Sequence, residues 1–170
     1  MASLIDELIN VLEQENKEYE TLVLLSKEKT PVIVKGDLEK LQRITEVEQE
    51  FVGKIRNLEK KREEIMMDIG NVLSRDPKTT KVTDIIELLS KQPVEQQKLS
   101  EIHDKLKTTL GNIKQYNDIN ANLIKESLEI VEFNLNLVTS LYQDTGISNY
   151  NKNAQSVSAM GATGVFDKKS

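Results

Sequence analysis

Apolar residues recur along this chain in steps of three and four, and that spacing lays out its helices. Leu4, Ile5, Leu8, Ile9, Leu12, Tyr19, Leu22, Val23 and Leu25 form a first stripe, interrupted at Glu15 and Asn16. Ser3 offers an N-cap, with Asp6 three residues later in the manner of a capping box. Pro31 is expected to end or kink this helix near Thr30, because proline lacks an N–H and its ring crowds the preceding turn. Val32, Ile33 and Val34 fit one last kinked turn before Gly36.

Gly36 and Asp37 read as a tight corner, Gly36 closing one helix and Asp37 capping the next. The following line is Leu41, Ile44, Glu48, Phe51, Ile55, Leu58, Arg62, Ile65, Ile69 and Val72. All but Glu48 and Arg62 are apolar, the signature of a coiled-coil seam. A helix from Asp37 to Ser74 would be roughly 57 Å long, which predicts an elongated antiparallel bundle or hairpin.

Residues 74–80 carry turn chemistry. A short helix is predicted over 82–91, with Thr83 or Asp84 as its cap, and Pro93 suits the first turn of a last long helix. That helix passes through Leu99, Ile102, Leu106, Leu110 and Ile113 and should end near Tyr142. Its second half has two lines. One is Asn117, Asn120, Ile124, Ser127, Val131, Asn134, Val138 and Leu141; the other is Tyr116, Ile119, Leu123, Ile130, Phe133 and Leu137, interrupted at Glu126. Together they make an apolar band wider than a two-stranded seam needs. Such a helix either packs against two neighbours or offers one side to something outside the chain.

The expected fold is therefore all-α: two long helices, an N-terminal helix and a short connecting helix. Residues 1–142 form the helical domain. Residues 143–170 are rich in Gly, Ser and Asn with single apolar residues, so a flexible tail is expected there. No internal repeat is evident.

Composition narrows the function. Charged residues make up 30% of the 170 and aromatics 4%, as in long-helix proteins. A net charge of −5 argues against nucleic acid, and the basic run from Lys54 to Arg62 is diluted by glutamates. The absence of cysteine excludes disulfides and thiolate metal sites. No apolar run reaches the ~20 residues of a membrane span, and the N-terminus is acidic where a signal peptide is basic. A cytoplasmic protein without stable membrane insertion is expected.

Chemistry is sparse. His103 is the single histidine, and the Glu-x-x-His spacing of a bundle metal site is missing because position 100 is Ser. There is no catalytic constellation or phosphate loop, so neither an enzyme nor a cofactor is expected. Gly53, Gly70 and Gly111 inside helical patterns suggest close helix approach, with local flexibility as the alternative. The asparagines at 117, 120, 122, 134 and 136 are weak helix formers. They are either register-setting polar core residues or part of a surface that binds helices without becoming sticky when empty.

Three stretches carry a resemblance. They are Leu4-Ile5-Asp6-Glu7-Leu8, the corner Gly36-Asp37-Leu38-Glu39-Lys40-Leu41, and the run from Asn117 through Phe133 with Leu135 and Leu137. With the ending Val165-Phe166-Asp167-Lys168-Lys169, their order is similar to the FlgN family of flagellar type III export chaperones. Pro31 departs from the family, in which helix one usually continues; Tyr150 is followed by Asn where the family often has Tyr-Gly.

The resemblance implies a non-enzymatic chaperone. It would bind the helical C-terminal ends of hook–filament junction (hook-associated) proteins, block their early assembly and deliver them to the export gate. Helix-in-groove recognition fits such clients. The candidate client-binding residues are Asn120, Leu123, Ile124, Ser127, Val131, Phe133 and Val138. Tyr150 and Phe166 are the candidate anchors for docking the tail on the gate, since aromatics dominate small interfaces. The rival reading is a coiled-coil scaffold or adaptor without a client.

Overall fold

The computed structural model describes residues 2–76 and 78–144. The elements run in the order α1 (Ala2–Lys35), α2 (Leu38–Val72), α3 (Val82–Leu88), a 3-10 turn (Leu89–Lys91) and α4 (Pro93–Asp144). All secondary structure among the described residues is helical, as the periodicity predicted, and α1, α2 and α4 pack as a bundle. The chain divides into two compact units, Met1–Ile124 and Lys125–Ser170. The tail expected at 143–170 lies, from residue 145 on, outside the described residues.

Helix α1 neither ends nor breaks at Pro31 but continues to Lys35. The proline removes one N–H that would have bonded the carbonyl of Lys27. Both residues are exposed, so water can take up that carbonyl. Val32 and Ile33, the next two residues, are buried. Their burial rewards helical continuation past the missing bond, each contributing about 1.5–3 kcal/mol.

Gly36 then terminates α1 with a φ of +68°. Its N–H bonds the carbonyl of Ile33 at 3.0 Å, and the N–H of Asp37 bonds that of Val32 at 3.2 Å. This is a Schellman closure, which favours glycine because its left-handed residue carries no Cβ. The Asp37 side chain accepts from the N–H of Lys40 at 3.0 Å and caps α2. The chain thus reverses within two residues.

Cross-links between helices give their directions. Lys29 pairs with Glu48, Tyr19 with Glu59 and Glu15 with Arg62, so α1 and α2 are antiparallel. Asn16 meets Thr109, Ser26 meets Asn117 and Thr30 meets Asn120, so α1 and α4 run parallel. The predicted seam on α2 is the inner face: nine of its ten positions are buried or half-buried, and only Val72 is exposed.

The main apolar core gathers Ile5, Leu8, Val11 and Leu12 of α1 with Ile65 and Ile69 of α2. Ile85, Leu89, Leu99, Ile102 and Leu106 complete it. The start of α3 differs from expectation. Lys81 is its N-cap, and Asp84 sits three residues later, its carboxylate accepting from the N–H of Lys81 at 2.8 Å. Asp84 thus supplies only the returning half of a capping box, since the Lys81 side chain has no acceptor to offer, and Thr83 lies inside the helix. Gly53 and Gly111 face open space, so close helix approach does not explain them; Gly70 alone of the three is buried.

Pro31→Ala should restore the missing helical bond and stabilise the fold by roughly 2 kcal/mol. Urea denaturation checks this; an unchanged or lower midpoint would mean that the proline is accommodated without cost.

Candidate functional site

Two polar layers cross the bundle where the sequence interrupts its apolar stripes. In the first, Glu15 is fully buried and its Oε2 stands 3.3 Å from Nη1 of Arg62. Neither carboxylate oxygen has a hydrogen-bond partner. Burial pushes the Glu15 carboxyl above its ordinary pKa; Arg62 opposes that shift and Glu59 adds to it. The contribution of this group to stability is full below the ordinary carboxylate range and is lost as pH rises through the raised value. Beside it, Asn16 accepts from the Thr109 hydroxyl at 2.8 Å and donates to Glu20 at 3.0 Å. Tyr19 donates to Glu59 at 3.0 Å, and its hydroxyl is pushed up to about 12 by burial and by that bond.

The second layer joins α1 to the start of the asparagine-rich run. The Ser26 hydroxyl donates to Asn117 at 3.3 Å and the Thr30 hydroxyl to Asn120 at 2.7 Å. Asn120 also donates to the carbonyl of Ser26 at 2.8 Å. With 4% of its surface exposed, Asn120 belongs to the bundle interior and sets register against α1. Of the two roles open to this asparagine, burial fits the register-setting one better than a client-facing one. The physical reason is that a buried amide needs fixed partners, and α1 supplies them.

Beyond Asn120 the environment changes. Leu123 is half-buried and Ile124 is exposed. In the unit that begins at Lys125, every residue of α4 through Tyr142 is exposed. Ser127, Val131, Phe133 and Val138 all fall there, with Phe133 67% and Val138 47% exposed. They share this stretch with Leu128, Ile130, Leu135 and Leu137, also exposed. So many large apolar side chains on one helical segment are uncommon unless the segment binds something. Tyr150 and Phe166 lie outside the described residues.

The polar layers were missed as contacts, although their signal was present. Glu15 and Asn16 interrupt one stripe and Arg62 another; pairing the interruptions would have found the first layer. A groove beside α2, floored by Met66, Val82, Leu106 and Leu110, was also missed. His103 lines that groove, its Nδ1 3.3 Å from Asp104 of its own helix. Among the described residues, no three His, Asp or Glu side chains gather as a metal site, and no helix is long and apolar enough to cross a membrane.

Asn120→Ala should destabilise the protein by about 1–3 kcal/mol, because Ser26 and Thr30 lose their partner. Thermal or urea unfolding measures it, and a neutral result would return Asn120 to the surface.

A family model described as FlgN protein matches residues 1–158, and the chain belongs to that family. No curated protein matches the chain, and no solved structure does. The family is non-enzymatic: its members are flagellar export chaperones for the hook-associated proteins FlgK and FlgL, which they bind and deliver to the export apparatus.

Proposed function

We propose that this FlgN-family chaperone holds its hook-associated client on the α4 segment from Ile124 to Val138. The observation that carries this reading is the run of exposed apolar side chains from Leu128 to Val138. Ile124, Val131 and Val138 lie on one helical line, with Ser127 and Asn134 between them. Phe133 stands on the adjoining line with Ile130 and Leu137. A client helix laid along these lines could bury its own apolar stripe against them.

The polar residues within the band serve release. Each fully buried Val, Leu, Ile or Phe contributes about 1.5–3 kcal/mol. Ordering a disordered client end costs ~2–5 kcal/mol of that gain. Ser127 and Asn134 dilute the apolar surface, holding affinity to a level that permits hand-over. Leu123 supports the near end of the site. The rival scaffold reading gives no reason to leave this stretch exposed.

Delivery needs a second contact. Tyr150 and Phe166 are our candidates for docking on the export gate, because they are the aromatic residues of the last 26 positions and aromatics dominate small interfaces.

Val131→Asp and Val138→Asp should each weaken client binding at least about tenfold, some 1.4 kcal/mol. Stability should shift by no more than about 0.5 kcal/mol, as for other surface substitutions. Titration with a client C-terminal segment, paired with urea unfolding, separates the two effects. Unfolding of both variants would make the band core and send the client elsewhere.

A chain ending at Gln143 should bind client normally yet fail to support its secretion in cells. Secretion at the level of the full chain would remove Tyr150 and Phe166 from delivery.

A further inference from the structure

The groove beside α2 has an apolar floor and a basic edge. Met66, Val82, Leu106 and Leu110 line a cavity of about 500 Å³, bordered by Lys81, Lys107 and Arg62. Arg62 is committed to Glu15, whereas Lys81 and Lys107 make no ion pair among the described residues. Within a chain of net charge −5, these cations form a local patch of the minority sign. Methionine on the floor adapts to irregular partners. Without an aromatic platform, the groove is ill suited to nucleic-acid bases.

The chemistry that matches it is an amphipathic helix with acidic flanks. Residues 125–142 have that chemistry. They carry Glu126, Glu129 and Glu132 against a single Lys125. Leu128, Val131, Leu135 and Val138 form one exposed line, with Glu132 one turn from Leu128 on the same side. Residues 145–170 have the wrong sign, with Lys152, Lys168 and Lys169 against Asp167. We propose that the groove takes the 125–142 segment of a second copy of this chain, so that the empty chaperone self-associates. The apolar line fills the floor, and Glu129 and Glu132 meet Lys81 and Lys107. The contact pairs the groove of one copy with the 125–142 segment of another. Its regulatory consequence, that a client must displace the neighbouring copy, rests on the client reading given above; the contact itself does not.

The test is a charge swap on the full chain, read by sedimentation velocity and light scattering over a wide concentration range. The wild type should associate reversibly, and more weakly at high salt as exposed charges are screened. Lys81→Glu with Lys107→Glu in one chain, and Glu129→Lys with Glu132→Lys in another, should each weaken association at least about tenfold. Mixed together, the two variants should associate again, because each groove then faces a segment of opposite charge. A wild type that stays monomeric throughout, variants that associate like wild type, or a mixture that does not recover would overturn the proposal. The groove variant should also bind client segment at least as well as wild type. If it does not while the swap behaves as expected, the self-contact stands and the client reading falls.

Discussion

Helix α1 must satisfy two neighbours at once, and its polar side chains fix how both can lie. Apolar packing alone would allow α2 or α4 to slide by a turn against α1, because Ile and Leu fill similar holes at every third or fourth position. A buried polar group does not allow that. If α4 slipped one turn, Asn16 would lose the Thr109 hydroxyl and Asn120 would lose both Ser26 and Thr30. Each orphaned group would cost about 1–3 kcal/mol, a large share of the stability of an ordinary domain. The two layers thus set the register of α4 on α1, while Glu15 and Arg62 mark that of α2.

That arrangement gives α4 two characters within one helix. Up to Asn120 it supplies buried residues on a regular three-four spacing: Leu99, Ile102, Leu106, Thr109 and Asn120 face inward. From Lys125 onward its apolar residues are exposed. Chaperoning a helical client asks for both properties in one molecule, a surface apolar enough to replace the client's eventual neighbours and a fold whose own stability does not depend on that surface. The main core gathers residues from positions 5 to 106, so the exposed stretch adds nothing to it.

Much of this was legible in the sequence. The seam from Leu41 to Ile69 was readable because coiled-coil spacing leaves little ambiguity over so many turns. The corner at Gly36 and Asp37 was readable because two residues there have one chemical task each. Of the two outcomes expected at Pro31, an end or a kinked last turn, the helix does not end there, because the burial of Val32 and Ile33, which only tertiary packing reveals, rewards its continuation. The asparagines divided in a way that spacing could not foresee. Asn120 lies on the same line as Val131 and Val138, yet it meets Ser26 and Thr30 while they are exposed. Periodicity assigns a residue to a face of its helix; it does not say which partner that face meets at each level.

The central claim is that the client occupies the exposed stretch of α4 and leaves the bundle core as it is. Amide hydrogen exchange on the monomeric chain, with and without a hook-associated client segment, tests it most directly. The account predicts that amides within 125–142 become strongly protected when client is added, while those around Leu8, Ile69 and Ile102 exchange as before. Protection gained in α1 or α2, with 125–142 exchanging unchanged, would contradict it.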